Sequence, residues 1–223
     1  MKNVLIISGS PRKKGNSQRL CEEFKKGAED KGNSVELIRL AEKKIGFCKA
    51  CDVCMKNNGT CVQKDDMAEV LESFKKADVL VLATPVYFYG ICAQMKTFID
   101  RTYPIWQHLG EKEVYYIISA GLGEDIVKRS LGDLDGFVEH LEKYEIKGRI
   151  YATDVMDAGK VCGTPYINIA YQMGYHIYAD DFLLAETDLS PMLEAGFGSR
   201  DECHYLIGIW DYSELGNHEM DLE

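Results

Sequence analysis

The sequence predicts an α/β domain built on a doubly wound, five-stranded parallel sheet with helices on both faces. Three observations carry this. Five short, β-branched and nearly continuous apolar segments recur along the chain, as expected of strands covered on both faces. Segments with apolar residues three or four apart separate them. The two kinds alternate as β-α-β-α-β-α-β-α-β-α, which implies right-handed crossovers and a parallel sheet.

The elements follow in order. The strands are expected at Val4–Ser8, Val35–Arg39, Val79–Thr84, Val114–Ser119 and Gly148–Thr153. The first helix is expected over Asn16–Lys31, with Leu20, Phe24 and Ala28 on its apolar face and Asn16 as a good N-cap. The second is expected over Asp66–Lys76, with Met67, Val70, Leu71 and Phe74, and Asp65-Asp66-Met67 reads as its capped start. Gly90–Tyr103 and Asp133–Tyr144 follow, then Pro165–Met173 with Gly174 as a C-cap. No internal repeat or low-complexity linker interrupts the series.

The chain has 223 residues, 46% hydrophobic and 28% charged, enough to fill a core. The apolar run Val79–Ala83 is far too short to span a bilayer, so no membrane association is expected. The first residues lack the long apolar region and small-residue cleavage site of a secretory signal, and a cytoplasmic location is expected. The formal charge is −10, but residues 177–223 hold twelve acids against the single base Arg200. The remainder is nearly neutral, and no basic stripe suggests a nucleic-acid partner. The domain division is therefore 1–176, containing a cysteine-rich loop at 46–63, and an acidic C-terminal extension at 177–223. That extension carries Phe182, Phe197, Tyr205 and Trp210, more aromatics than a wholly disordered tail holds, and two readings are open: it docks on the body or on a partner subunit, or it is a solvated appendage.

In a doubly wound sheet, ligands bind beyond the carboxyl ends of the strands at the switch point. The first strand runs into Ser8-Gly9-Ser10-Pro11-Arg12-Lys13-Lys14-Gly15-Asn16-Ser17, and a helix follows. Helix-start N–H groups suit an anion, Ser10 and Ser17 offer hydroxyl donors, Arg12 offers a charged fork, and Gly15 permits a tight turn. The loop has neither the triphosphate P-loop pattern nor G-x-G-x-x-G, so a mononucleotide monophosphate fits best, with FMN the commonest. The third strand runs into Thr84-Pro85-Val86-Tyr87-Phe88-Tyr89-Gly90, a rigid proline and three aromatics suited to a planar ring or to a buried corner. The fourth ends in Ser119-Ala120-Gly121-Leu122-Gly123, small residues that let a ring approach backbone. Lys96, Phe98, Asp100 and Arg101 mark the helix after the aromatic loop, and read equally well as an ordinary helix face with a local ion pair.

On GSPRKKGNS, on TPVYFYG followed by MKTFIDR, and on the strand pattern, the chain resembles the NADPH-dependent FMN reductase family of flavodoxin-like proteins, and within it the iron-sulfur flavoproteins. The resemblance covers residues 1–176. It implies FMN held at the phosphate by Ser10, Pro11, Arg12, Gly15, Asn16 and Ser17. It implies Pro85, Val86, Tyr87, Phe88 and Gly90 at the ring, with Ser119 and Gly121 nearby. It further implies NAD(P)H as co-substrate and a homodimer or homotetramer with the flavin near a subunit boundary.

Cys48, Cys51, Cys54 and Cys61 form C-x2-C-x2-C-x6-C. Three readings are open: a 4Fe-4S cluster, a zinc ion on four thiolates, or a loop of free thiols and disulfides. Val62 stands where a proline often follows a cluster cysteine. Cys21, Cys92, Cys162 and Cys203 are isolated and read as small buried hydrophobes. None of the five histidines has a metal or nucleophile spacing, which suits flavin chemistry, where the cofactor performs the hard step and no catalytic side chain is required. The expected activity is electron transfer from NAD(P)H through FMN to a quinone, flavin, nitro or azo compound, or protein acceptor; if the cysteine loop holds a cluster, that cluster could split the pair into single electrons. The alternatives are an electron carrier or redox sensor without NAD(P)H turnover, and a thiol sensor built on the cysteine loop.

Overall fold

The computed structural model describes residues 1–177. Its elements are β1 (Asn3–Ser8), α1 (Asn16–Asp30), β2 (Ser34–Arg39), α2 (Val53–Lys56), α3 (Met67–Lys76), β3 (Val79–Tyr87), β4 (Gly90–Ile91), α4 (Ala93–Arg101), β5 (Glu111–Ser119), α5 (Glu124–Val138), β6 (Lys143–Ala152) and α6 (Tyr166–Tyr175). Five strands pair in parallel in the order β2-β1-β3-β5-β6, and β4 adds a two-residue antiparallel pairing to the end of β3. The sheet thus has six strands rather than five. Counted over the parallel strands alone, the order is 2-1-3-4-5, the flavodoxin-like winding. The acidic extension lies, beyond Ile177, outside the described residues.

The near-continuous apolar strands are explained by burial on both faces. Leu5 and Ile7 of β1, Leu80 and Leu82 of β3, and Val114, Tyr116 and Ile118 of β5 point into one apolar layer. There they meet Phe74 of α3, Phe98 of α4 and Phe137 of α5. These three rings pack with centroids 6.0–6.2 Å apart. The alternate residues Val4, Ile6, Val79, Val81, Tyr115 and Ile117 point to the other face, against Leu20 and Phe24 of α1 and Ile169 and Met173 of α6. Side chains alternate across a strand, so each face receives every second residue. A strand of uniform apolar character is the consequence.

Three helix boundaries differ from those expected: the helix assigned to Gly90–Tyr103 spans only Ala93–Arg101, because Gly90–Ile91 turn back and pair with β3 as β4. The helix assigned to Asp133–Tyr144 runs earlier, over Glu124–Val138, and Tyr144 already belongs to β6. Val127, Leu134, Phe137 and Val138 give the buried stripe. Gly174 lies inside α6 rather than capping it. Its role is contact: a Cβ there would stand 2.0 Å from the Phe24 carbonyl oxygen, and one on Gly27 would stand 2.0 Å from that of Tyr171. Two glycines facing each other let α1 and α6 touch backbone to backbone. No helix among the described residues is long and apolar enough to cross a membrane.

Candidate active site and cysteine loop

The winding reverses between β1 and β3, so the loops after these strands and after β5 form one crevice. The loops are tied together by buried polar contacts. Gly9 N donates to the Ala83 carbonyl (2.8 Å), joining the first loop to the end of β3. Cys92 Sγ donates to the Gly9 carbonyl (3.2 Å), while Cys92 N donates to Thr84 Oγ1 (3.0 Å). Burial pushes the Cys92 thiol up, so it stays neutral and serves as a donor. The sequence reading of Cys92 as a plain small hydrophobe misses this bracket.

The start of α1 has the features of an anion cradle. Gly15 is the N-cap, with no side-chain cap on the helix, and the first helical N–H to find a carbonyl is that of Arg19, on Gly15 (3.0 Å). The N–H groups of Asn16, Ser17 and Gln18 have no partner among the described residues, though all three residues are buried. Orphan N–H donors on buried residues at a helix start suit an acceptor such as a phosphate. Gly15 is closely packed: a Cβ there would stand 2.6 Å from Ser10 Oγ. The Ser10 hydroxyl makes only a long contact to the Arg12 carbonyl (3.4 Å). Ser17 Oγ lies 3.1 Å from Ser119 Oγ, which brings residues from the first and third loops into one polar spot. Pro11 and Arg12 are exposed at its rim.

Asn16 is a correction. It is the first helical residue, not the N-cap, and its side chain is fully engaged elsewhere. Nδ2 donates to the carbonyls of Val155 (2.6 Å) and Asp157 (2.9 Å), and Oδ1 accepts from Val161 N (3.2 Å). The amide therefore braces the segment after β6, and only its backbone N–H faces the cradle.

The aromatic loop is a tight hairpin. Tyr87 pairs with Gly90, leaving Phe88 and Tyr89 as the two turn residues, both at positive φ (49° and 67°). Such a turn is normally built from Asn and Gly, so two aromatics there are strained. Phe88 is 101% exposed and Tyr87 and Tyr89 are largely exposed, while Pro85 and Thr84 are buried. Within the single chain the three rings are exposed to differing degrees rather than packed in a buried corner. The Arg129 guanidinium sits 5.1 Å from the Tyr89 ring centroid. On the other side, Met156 packs against Gly121. Met156 is 64% exposed, and no sequence signal pointed to it.

The cysteine loop lies beside the end of α4. Cys48, Cys51, Cys54 and Cys61 line one small cavity, together with Asp100, Arg101 and Tyr103. Burial pushes the Cys54 thiol up, and the nearness of Cys61 and Cys51 adds to this. The loop backbone is left-handed at Ala50 (φ 49°), Asp52 (53°) and Asn58 (45°), an unusual density for residues with a Cβ. The donor set, four thiols around one cavity, is chemically that of a 4Fe-4S or tetrathiolate zinc site. Among the described residues no three such side chains are already drawn into metal-binding distance. Asp65, expected only as part of a cap, does more. Its carboxylate receives two N–H groups of Arg101 and the backbone N–H groups of Gly46 and Met67. The Arg101 guanidinium holds it below the usual carboxylate range.

Comparison with known proteins agrees with this layout. Residues 2–150 match the family described as NADPH-dependent FMN reductase. An iron-sulfur flavoprotein of Archaeoglobus fulgidus is 40% identical over 127 residues, covering 56% of this chain and 57% of the relative. One from Methanocaldococcus jannaschii is 41% identical over 102 residues, covering 46% and 52%. The chain thus spans about half the length of the curated relatives it matches. Among solved structures, an NAD(P)H:quinone oxidoreductase from Methanothermobacter marburgensis superposes with a TM-score of 0.60 at 16% identity, covering 78% of this chain and 96% of that one. An azoreductase from Bacillus anthracis gives 0.60 at 14% identity, covering 78% and 99%. These last two speak to the fold alone. With its flavodoxin-like winding, its uncapped helix start at the switch point and a family match across two thirds of its length, this chain belongs to the NADPH-dependent FMN reductase family.

Proposed function

We propose that the protein is an FMN-dependent NAD(P)H oxidoreductase that passes electrons to a small acceptor such as a quinone or azo compound, with the cysteine loop holding a 4Fe-4S relay. The observation that carries the flavin half is the buried, uncapped start of α1, three N–H donors without an acceptor. Bound FMN supplies the ring that takes hydride from the nicotinamide and gives electrons onward. The chain's own residues bind and orient it. The N–H groups of Asn16, Ser17 and Gln18 and the hydroxyls of Ser10 and Ser17 hold the phosphate, with Arg12 adding charge at the rim. Pro85, Val86 and the backbone to Gly90 flank the ring, with Ser119 and Gly121 opposite. The exposed rings of Tyr87 and Phe88 leave that side open for a nicotinamide, an acceptor or the partner subunit of a homodimer or homotetramer.

Cys48, Cys51, Cys54 and Cys61 would hold the cluster, which supplies one-electron transfer and so converts a hydride pair into single electrons. The curated relatives named iron-sulfur flavoproteins support this half. The test has two parts. Purified protein is extracted to identify its flavin, and NADPH oxidation with a quinone is followed without oxygen. FMN and quinone-dependent turnover are expected. FMN without turnover establishes a carrier instead. Anaerobic reconstitution followed by iron and acid-labile sulfide analysis decides the cysteine loop: iron with sulfide is expected, zinc alone marks a tetrathiolate zinc site, and neither marks free thiols.

A further inference from the structure

Arg101 closes α4 and is only 2% exposed. A buried guanidinium must place five N–H groups. Nη1 donates to the Gly46 carbonyl (2.6 Å) and to Asp65 Oδ2 (2.7 Å). Nη2 donates to Asp65 Oδ1 (2.9 Å) and to Cys61 Sγ (3.7 Å). Nε is buried and has no hydrogen-bond partner among the described residues. In the planar group Nε–H and one Nη2–H lie along the same edge. The edge that touches the Cys61 sulfur therefore carries a second donor with nothing to receive it. Arg101 also lines the cavity formed by the four cysteines.

The same guanidinium grips both ends of the cysteine segment. Gly46 precedes Cys48, and Asp65 follows Cys61. The Asp65 carboxylate closes the arrangement by accepting Gly46 N (2.9 Å). The cation that orders the loop is thus the one that faces its sulfurs.

Resting on the cluster reading above, we propose that Arg101 is a positioning residue for the metal centre. It fixes Cys61 as the fourth thiolate and presents an N–H edge to the sulfurs of the cavity, which raises the centre's reduction potential, and Asp65 tempers that effect. The physical reason is that hydrogen bonds to cluster sulfur and a nearby positive charge favour the more negative, reduced form. The bidentate carboxylate locks the fork and offsets part of its charge.

The test is a potentiometric titration, followed by electron paramagnetic resonance, of anaerobically reconstituted full-length protein. Arg101→Gln removes the charge and the fork, and its potential should fall. Asp65→Asn keeps the side chain's shape but removes the counter-charge, and its potential should rise. A tenfold change in the oxidised-to-reduced ratio at fixed potential is expected for each, about 59 mV for one electron. Arg101→Lys keeps the charge on a single point donor and should fall between wild type and Arg101→Gln. If Arg101→Gln takes up no cluster, the potentials of Arg101→Lys and Asp65→Asn carry the comparison. FMN content should stay at the wild-type ratio throughout, because neither residue borders the phosphate cradle. A role limited to holding the loop would alter iron content while leaving potentials at the wild-type value, or move both variants the same way; either result overturns the inference. A wild type that takes up no iron and sulfide overturns the cluster reading first and this inference with it.

Discussion

Replacing Asn16 with alanine separates two roles that sequence alone merges. The side chain makes three buried hydrogen bonds to Val155, Asp157 and Val161, residues about 140 positions away in the chain. Each such bond contributes about 1 kcal/mol net, and more where a buried partner is left unsatisfied. Asn16→Ala should therefore destabilise the flavin-free protein by about 3 kcal/mol. For a domain of this size that corresponds to a fall in Tm of roughly 6–12 °C. The assay is thermal unfolding by circular dichroism after FMN removal, since bound ligand would raise Tm by mass action. FMN titration of the same variant gives the second reading. The backbone N–H groups of the cradle are untouched, so the affinity should weaken only a few-fold. A flavin-free Tm equal to wild type, with FMN affinity weakened tenfold or more, would refute the bracing role and make the Asn16 side chain a phosphate ligand.

Three further outcomes are expected. Ser17→Ala removes one hydroxyl of the buried pair with Ser119, so FMN Kd should rise about tenfold, the worth of one hydrogen bond to a charged group, and the flavin-free Tm should fall by about 2–4 °C, the worth of one buried hydrogen bond; fluorescence titration and thermal unfolding measure the two. Changing Phe88-Tyr89 to Asn-Gly fits the turn's positive φ values, so it should stabilise the fold by about 1 kcal/mol while lowering NADPH:quinone turnover; a variant both more stable and equally active would remove the aromatic lip from the site. Burial pushes the Cys21 thiol from an ordinary 9.0 up to about 12. A raised folded-state pKa means that its contribution is fully present below pH 9 and is lost as pH climbs towards 12, because only the unfolded chain ionises there. Tm should decline over that window, and Cys21→Ala should flatten the decline; an unaltered slope would show that other groups govern it.

Much of this protein was legible from local pattern. The strands, α1, α3 and the turn-rich loop before α1 follow from apolar runs, four-residue spacings and a cluster of turn residues before a helix. Each of these signals is confined to a few neighbouring residues. The C-x2-C-x2-C-x6-C spacing likewise places four thiols near one another, and the fold gathers them around one cavity. Where local cues are weak the pattern misleads: α5 carries glycines at 132 and 136, and the apolar spacing places it several residues too late.

Partners distant in sequence could not be read in this way. Gly174 looks like a helix stop because its role, making room for the Phe24 carbonyl, depends on a helix 150 residues earlier. Asn16 looks like a cap because the carbonyls it serves arrive from the far end of the domain. Arg101 looks like part of an ordinary helix face, and Asp65 like part of a cap, until packing buries the guanidinium against the cysteine loop and pairs it with the carboxylate. The sequence by itself determined the order of elements and the chemistry available in each loop, since both are written in short-range spacing. Tertiary structure decided which polar groups remain free to meet a ligand, because that depends on the acceptors and donors brought by segments a hundred or more residues away. On that count the backbone N–H groups at the start of α1 emerge unsatisfied and the side chain of Asn16 does not.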